Sequence, residues 1–199
     1  AENYCYSDAN SCLMKLGMIG ETIVNLIFTY DRLQMPGDNS AVNRLAVLMR
    51  EGLVTPDLVD ILHALRKTRN KAVHENYASV EDCKTFLPMT HSLCEWFMQT
   101  YGNWNYEHED FRLPMESAEG PVSNRQKEEK QEAKLLDKAE KTAAAAPAVE
   151  AETRKKQANY AAGRRQKAEA ETRYMIDEQL RKVGREADTE RLRDAKGTR

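Results

Sequence analysis

One short stretch, residues 65–75, carries the side chains best suited to chemistry. Arg69, Asn70 and His74 fall within six consecutive positions. A histidine can move a proton from a hydroxyl group, and an arginine can stabilise the charge that develops on a phosphate. An asparagine beside them can hold one of the two in position. Together, such side chains are suited to proton transfer beside a phosphate group.

Helical geometry limits how such a site could form. Five residues of a straight helix turn by about 500°, which leaves Arg69 and His74 roughly 140° apart. Arg66, Asn70 and His74 lie closer to a single stripe. We therefore expect Arg69 and His74 to meet only if the helix ends or distorts near residue 72, or if the site forms across a dimer.

A structural interpretation of the same residues competes with the catalytic one. Asn70 and His74 could hydrogen-bond the following loop and cap the helix, while the arginines pair with nearby acids. A third alternative is a patch that binds phosphate or a protein partner. The sequence leaves all three interpretations open.

The remaining reactive side chains predict no second site. His63 and His91 are expected to be core or boundary residues, and the run Glu107-His108-Glu109-Asp110 is expected to be a solvated loop. The four cysteines form no CxxC pair and are expected to be buried free thiols. There is no glycine-rich phosphate loop, GxSxG motif or HExxH motif, so we predict no cofactor, metal or ATP site in this chain.

A first helix is predicted over residues 11–34, where apolar side chains step by three and four. Asp8 and Asn10 lie at its start and are expected to cap it. Gly17 and Gly20 each weaken a helix interior by up to ~1 kcal/mol. We therefore expect a neighbouring helix to approach closely at these two glycines.

Three more helices complete the predicted bundle. One covers residues 40–51 and ends at Gly52, and the next begins at Thr55-Pro56-Asp57 and contains the polar cluster. The last covers residues 80–101, and Ser79 opens a capping box before it. No long segment alternates at period two. The predicted fold class is all-α, a four-to-five-helix bundle followed by an extended charged helical arm.

The sequence changes character after the fourth helix. Residues 104–114 are rich in aromatic side chains and are expected to pack back onto the bundle. Residues 115–171 predict a charged linker and helical arm. The basic runs Arg154-Lys155-Lys156 and Arg164-Arg165 alternate with acids, which favours a solvated face. A last helix has one apolar face with no evident partner, formed by Ile176, Leu180 and Val183.

The charge of the chain and the length of its apolar runs limit the classes of function that it could have. The net charge of −2 over 199 residues divides into a mildly acidic front and a mildly basic back, and neither half has the excess expected of a nucleic-acid binder. No apolar run reaches the ~18–20 residues of a membrane span, and there is no secretory leader, so we expect a cytoplasmic protein without membrane contact. The chain begins at Ala1 and stops without a closing element, which predicts a piece of a longer protein.

The spacing of Arg69, Asn70 and His74 matches the R-N-x-x-x-H signature of the HEPN superfamily, whose nuclease members cleave RNA without a metal. Residues 1–114 resemble a group of helical domains within that superfamily, the DUF4145-like domains. The resemblance implies one alternative function, a ribonuclease that uses Arg69 and His74. A homodimer of the front domain would complete its site.

Several separated motifs resemble, in the right order, the N-terminal region of the R subunit of type I restriction enzymes (HsdR-like). They are Ser7-Asp8-Ala9-Asn10-Ser11-Cys12-Leu13 with Gly20-Glu21, Leu62-His63-Ala64-Leu65-Arg66-Lys67, Asn70-Lys71-Ala72-Val73-His74-Glu75, Trp96-Phe97 with Tyr101-Gly102, Ile176-Asp177-Glu178-Gln179-Leu180-Arg181, Glu186-Ala187-Asp188-Thr189-Glu190 and Lys196-Gly197-Thr198-Arg199. The resemblance covers both ends and most of the domain between them, while the arm matches only in composition and place.

The resemblance implies that the parent protein is an ATP-driven DNA translocase and endonuclease of phage defence. Its partners would be the methyltransferase and specificity subunits, and the whole complex would bind DNA. ATP and Mg²⁺ are expected for the parent enzyme, whose nuclease and motor residues would lie beyond Arg199. Residues 172–199 would begin the nuclease domain, and residues 1–114 would serve docking and placement. A stand-alone interaction module is the remaining alternative.

Overall fold

The computed structural model describes residues 1–109, 111–115 and 125–168, and no strand occurs among them. The predicted all-helical fold class is confirmed. The helices are α1 (Ala9–Tyr30), α2 (Ala41–Arg50), α3 (Pro56–His74), α4 (Val80–Phe97), α5 (Arg125–Ala145) and α6 (Ala151–Ala168), with a short 3-10 helix at Glu2–Tyr4 and a π-helical turn at Met98–Gly102. The predicted nuclease lead-in at residues 172–199 lies outside the described residues.

Helix α1 lies at the centre of the bundle, against α3, α4 and α5. Asp8 caps it, since its carboxylate accepts the Ser11 backbone N–H at 3.0 Å. Gly17 lets α3 come close, because a Cβ at that position would lie 2.4 Å from Arg69 Cβ, whereas a Cβ at Gly20 would make an ordinary contact with Leu62 and Leu65 at 3.4 Å. The predicted close approach of a neighbouring helix is therefore confirmed.

Although no uninterrupted apolar run of membrane-spanning length was expected, helix α1 is long and apolar enough to cross a membrane, judged by length and composition alone. Its 22 residues include a window with a mean hydropathy of 1.4, and 56% of that window is buried inside the bundle. The core helix of a bundle has the same composition, because its apolar side chains contact other helices. The packing of α1 against α3, α4 and α5 thus accounts for its apolar character.

Two helices end in the same backbone motif with different residues. At the end of α2, Gly52 has a φ of 68°, and the Leu53 N–H donates to the Leu48 carbonyl at 3.0 Å. This Schellman arrangement confirms the prediction of a C-cap glycine. At the end of α1, the corresponding position is occupied by Arg32, with a φ of 51°. A side chain with a Cβ is strained in this left-handed conformation.

Helix α4 begins and ends close to its predicted bounds. Ser79 caps it by accepting the Asp82 backbone N–H at 3.1 Å, and Pro88 lies inside it. The Asp82 carboxylate accepts the Tyr77 hydroxyl at 2.8 Å, which ties the preceding loop to the first turn. The π-helical turn Met98–Gly102 then extends the helix.

The sequence predicted an extended charged arm after the bundle, whereas the structure places both of its described helices against the bundle. Helix α5 lies along α1, where Lys15 Nζ is 2.5 Å from Glu132 Oε1 and the Tyr4 hydroxyl donates to Glu128 Oε2 at 2.5 Å. Helix α6 packs against α4 and the π-helical turn. Small side chains of α6 join the main core, namely Ala158, Ala161 and Ala162.

Two arginines of α6 correct the interpretation of the basic runs as a solvated face. Arg154 and Asp31 form an ion pair at 2.9 Å, with side chains only 7% and 8% exposed. Arg165 forms an ion pair with Asp57. The alternation of charges concealed these contacts, because alanines supply the packing face of α6 and no large apolar residue marks it.

Polar contacts hold α6 in this position. The Arg154 guanidinium donates to the Thr100 carbonyl at 2.7 Å, and its Cζ atom lies 4.3 Å from the centre of the Tyr101 ring. The Trp96 indole N–H donates to the Ala158 carbonyl at 3.1 Å. Buried polar groups need hydrogen-bond partners, and here the partners lie on α6 and on the bundle. We therefore treat α6 as part of the bundle.

Candidate functional site

Helix α3 carries the candidate site on its C-terminal half. The helix is unbroken over Pro56–His74, and the side chains of Asn70 and His74 are exposed. Arg69 is partly buried and faces α1. In an unbroken helix the directions of Arg69 and His74 differ by about 140°. The structure therefore brings Asn70 and His74 onto one exposed face and leaves Arg69 apart from them.

Arg69 belongs to the contact between α1 and α3. Its aliphatic chain lies across Gly17, where an added Cβ would come within 2.4 Å of Arg69 Cβ and 2.7 Å of its Cδ. Beyond the glycine, Arg69 Nη1 donates to Glu21 Oε1 at 2.7 Å, and the two side chains are 30% and 33% exposed. The predicted pairing of an arginine with a nearby acid is confirmed here. The guanidinium group contacts Glu21, on the side of α3 that faces away from His74.

A side chain from α1 caps the end of α3. Asn10 Nδ2 donates to the carbonyl of Ala72 at 2.7 Å and to that of Tyr77 at 2.9 Å. Ala72 lies in the last turn of α3, where backbone carbonyls lack a partner within the helix. The prediction that Asn10 caps its own helix is wrong: Asp8 caps α1, and Asn10, already inside that helix, reaches across to α3.

Two further arginines lie near Glu21. Arg44 and Arg66 line, together with Glu21, a cavity of about 20 Å³ between α1, α2 and α3. The Nε atoms of both arginines are buried without a hydrogen-bond partner among the described residues. Arg44 also donates to Asn25 through another nitrogen. With Arg69, three arginines cluster at one corner of the bundle, an arrangement that also suits the phosphate- or partner-binding interpretation.

A second polar cluster, which the sequence did not reveal, surrounds Glu95 on α4. Its carboxylate lies 2.8 Å from His108 Nδ1 and accepts the Glu109 backbone N–H at 2.8 Å. His91 Nδ1 lies 3.9 Å from the same carboxylate. The loop predicted at residues 107–110 is exposed where it is described, yet Glu95 ties it to the helix. Carboxylates are rarely buried without partners. A glutamate among the core residues of α4 was therefore the one signal in the sequence that could have indicated this cluster.

This Glu95 cluster anchors the segment that follows the π-helical turn. Gln99 Nε2 donates to the Tyr106 carbonyl at 3.1 Å, and the Phe111 ring lies 5.3 Å from the His91 ring. The predicted return of the aromatic segment onto the bundle is therefore confirmed. Across the described part of the chain, no group of three or more His, Cys, Asp or Glu side chains is arranged to hold a metal ion.

Three cysteine thiols meet in the core beside α1. Cys5, Cys12 and Cys83 are fully buried, and the cysteines are all free, which confirms the prediction for these three. The hydrogen bond between Cys12 and Cys83 raises the pKa of Cys83 and lowers that of Cys12. Burial raises the pKa of Cys5, and it raises that of Cys94 to about 11. Thiols in such surroundings are packing groups, because a reactive cysteine needs exposure and a stabilised thiolate.

These observations define an all-helical domain whose most polar segment makes contacts between helices. Comparison with known families identifies it further: the family described as "Domain of unknown function (DUF4145)" matches residues 1–141. The chain therefore belongs to the DUF4145 family. The match extends beyond residue 114 and ends inside α5. No curated protein and no solved structure matches the chain.

Proposed function

We propose that this chain is a docking and positioning module at the front of the R subunit of a type I restriction enzyme. The observation that carries the proposal is the packing of Arg69, the central residue of the candidate site, against α1. Arg69, which a ribonuclease would need beside His74, contacts Gly17 and Glu21. The segment best suited to chemistry thus helps to build the bundle.

The motifs of the restriction-enzyme resemblance that lie on α1 and α3 contact one another, which supports the proposal. The motif at residues 7–13 supplies Asp8, which caps α1, and Asn10, which reaches the Ala72 carbonyl of α3. The pair Gly20-Glu21 lies against residues 62–69 of the same helix. These two parts of the resemblance are distant in sequence and form one contact between α1 and α3.

The path of the arm also supports a positioning role. Because α5 and α6 return along the bundle, the chain that leaves Ala168 starts from a defined place. In the proposed parent, the nuclease and the motor follow, and ATP and Mg²⁺ serve those domains. The bundle would hold them relative to the methyltransferase and specificity subunits, while the assembled complex contacts DNA.

A pull-down of the methyltransferase and specificity subunits by the complete parent protein tests this proposal. The variant for comparison lacks residues 1–168, because removing only residues 1–114 would strip α5 and α6 of the bundle on which they pack. We expect loss of subunit binding and of restriction, with ATP hydrolysis by the motor retained. Equal binding and equal restriction without residues 1–168 would contradict the proposal.

The ribonuclease alternative keeps one favourable observation, the shared exposed face of Asn70 and His74. A second copy of the chain would have to supply the arginine, since Arg69 is paired with Glu21. Incubation of the purified chain with tRNA, beside the His74→Ala variant, distinguishes the two functions. We expect no cleavage, or the same background in both. Cleavage that His74→Ala abolishes would favour the ribonuclease and overturn the docking role.

A further inference from the structure

Three arginines surround a single glutamate at the corner of the bundle where α1, α2 and α3 meet. Arg44 of α2 and Arg66 of α3 line the cavity of about 20 Å³ at this corner, and Glu21 of α1 borders it as well. Arg69 forms an ion pair with Glu21 at 2.7 Å and so neutralises its carboxylate. Three positive charges against one negative charge leave a net charge of +2, which belongs to Arg44 and Arg66.

Neither Arg44 nor Arg66 has a carboxylate partner among the described residues. Arg44 donates through Nη1 to the side-chain carbonyl of Asn25, which carries no charge. Arg66 forms no hydrogen bond or ion pair with any residue that the structure describes. Two like charges beside one cavity repel each other, and an anion bound between them would turn this repulsion into attraction.

The hydrogen-bond donors of the two arginines suit a particular kind of anion. The Nε atoms of both are buried, and no described group accepts a hydrogen bond from either. Such buried donors call for a bound water or ion. A guanidinium group presents Nε–H and one Nη–H along the same edge, an arrangement that binds two oxygens of a phosphate. Since Arg44 uses Nη1 for Asn25, its edge with Nε and Nη2 remains open.

The size of the cavity determines which part of a phosphate can enter it. A volume of about 20 Å³ admits one water-sized group, such as a single phosphate oxygen. Arg44 and Arg66 are partly exposed, so the rest of the phosphate can remain at the surface and still contact them. Gly17 and Gly20 line the cavity and have no side chains to fill it. A water in the same place would accept a hydrogen bond but leave the charge of +2 uncompensated.

We propose that Arg44 and Arg66 bind a phosphate group at this corner of the bundle, with one phosphate oxygen in the cavity. The ligand is phosphate as a free ion or as the terminal group of a small molecule. Arg69 assists by keeping Glu21 neutralised. The site goes beyond the docking function and concerns this chain alone, so either proposal can fail without the other.

Isothermal titration calorimetry of the whole chain with inorganic phosphate, in chloride buffer of constant ionic strength, tests the proposal. We expect one phosphate per chain with a dissociation constant below about 1 mM, because two arginines contribute charge-assisted hydrogen bonds. Absence of binding at about 10 mM phosphate, well above that constant, overturns the proposal.

A parallel titration with adenosine monophosphate distinguishes the two sources of the phosphate group. Equal affinity for the two ligands indicates that the free ion is sufficient, and tighter binding of the nucleotide indicates a phosphorylated molecule. Either result supports the site when substitution of Arg44 or Arg66 weakens it. Binding of the nucleotide without any binding of inorganic phosphate overturns the proposal, because the base or the sugar would then be the group recognised.

Three substitutions separate the site from general effects of charge. Arg44→Gln and Arg66→Gln each remove one charge and keep an amide donor, so we expect phosphate to bind about tenfold more weakly, or weaker still. Arg50→Gln is the matched control, since it removes the same charge from the exposed side of α2, where Arg50 bonds Glu51. Its affinity should stay within about twofold, because salt screens an exposed charge. Equal affinities in all three variants overturn the proposal.

Thermal unfolding followed by circular dichroism reports whether each variant is folded. In phosphate-free buffer, Arg66→Gln removes one of two like charges and should not lower the midpoint. Phosphate should raise the midpoint of the unmodified chain and of Arg50→Gln, and should leave that of Arg66→Gln unchanged. Arg66→Lys keeps the charge but lacks the paired edge, so it decides the question even if Arg66→Gln unfolds. Phosphate binding that Arg66→Lys leaves undiminished overturns the proposal.

Discussion

Two arginine–carboxylate pairs join helices that are distant in the sequence, and they differ mainly in burial. Arg69 and Glu21 join α3 to α1 with side chains 30% and 33% exposed, whereas Arg154 and Asp31 join α6 to the end of α1 with side chains 7% and 8% exposed. An ion pair open to solvent contributes about 0–1 kcal/mol. Removing one partner of a buried pair destabilises a protein by about 3–5 kcal/mol, because the other charge stays buried.

The difference teaches that resemblance to a reaction site and importance for stability are separate properties. Arg69 attracts notice because Asn70 and His74 follow it, yet its ion pair is an accessory to a contact formed by Gly17. Arg154 lies in a run of charges that predicted a solvated face. It contacts the bundle through a buried ion pair, the Thr100 carbonyl and the Tyr101 ring. The stabilities of single variants can test this contrast directly.

The largest effect is expected from Arg154→Ala, which leaves Asp31 without its buried partner. We expect the free energy of unfolding to fall by about 3–5 kcal/mol, measured by urea unfolding followed by circular dichroism. Lys156→Ala, on the exposed side of the same helix, is the control and should change stability by no more than about 0.5 kcal/mol. Equal stability of the two variants would show that α6 does not depend on the pair.

A methyl group at Gly17 is expected to have the next largest effect, because Arg69 occupies the space. Gly17→Ala should destabilise the protein by about 1–3 kcal/mol, as overpacking does. Gly163→Ala is the matched control: a Cβ there meets nothing within 4 Å, so the better helix former should stabilise by up to ~1 kcal/mol. If urea unfolding showed that both variants are more stable than the unmodified chain, this would argue against the close approach of α1 and α3.

Removal of the Asn10 amide tests the polar part of the same contact. Asn10→Ala leaves the Ala72 and Tyr77 carbonyls without their donor, so we expect a loss of about 1–3 kcal/mol. Asn70→Ala removes the same amide from an exposed position and should stay within about 0.5 kcal/mol of the unmodified chain. The two midpoints of thermal unfolding give the comparison. A larger loss at Asn70 would mean that Asn70, and not Asn10, supports the end of α3.

The smallest effect is expected where α1 ends. Arg32→Gly relieves a left-handed backbone conformation and should stabilise the protein by about 0.5–1 kcal/mol. Gly52→Ala, at the equivalent position after α2, should destabilise it by about 1–2 kcal/mol, because the new Cβ is strained at positive φ. Changes of opposite sign in the midpoint of thermal unfolding would support the conclusion that both helices end in the same motif. A loss of stability in Arg32→Gly would show that the arginine side chain has a further contact there.

Features that depend on neighbours in the chain were predictable from the sequence. The caps Asp8 and Ser79, the C-cap Gly52 and the close helix approach at Gly17 follow from local rules of helix geometry, and the structure confirms them. The incompatibility of Arg69 and His74 in one straight helix followed from the same rules. Helical periodicity was sufficient to define the all-helical class.

Contacts that depend on distant residues could not be predicted in the same way. Nothing near Asn10 in the sequence indicates that it bonds the Ala72 carbonyl, and nothing near His108 indicates Glu95. The packing face of α6 consists of alanines, so it lacked the large apolar residues that mark a buried stripe. Arg154 therefore resembled the exposed bases around it, although it contacts Asp31 at the end of α1, the Thr100 carbonyl and the Tyr101 ring.

The packing of α6 has a practical consequence for the choice of expression boundaries. The family match ends at residue 141, before Arg154 and Ala158. A protein cut at that boundary would lose the α6 groups that Asp31, Thr100 and Trp96 contact, and would expose the apolar surface beneath them. Such a fragment is expected to aggregate or to exchange helices between copies, whereas one that ends after α6 retains every helix that the structure describes. The region that the family matches is therefore shorter than the part of the chain that packs as one bundle.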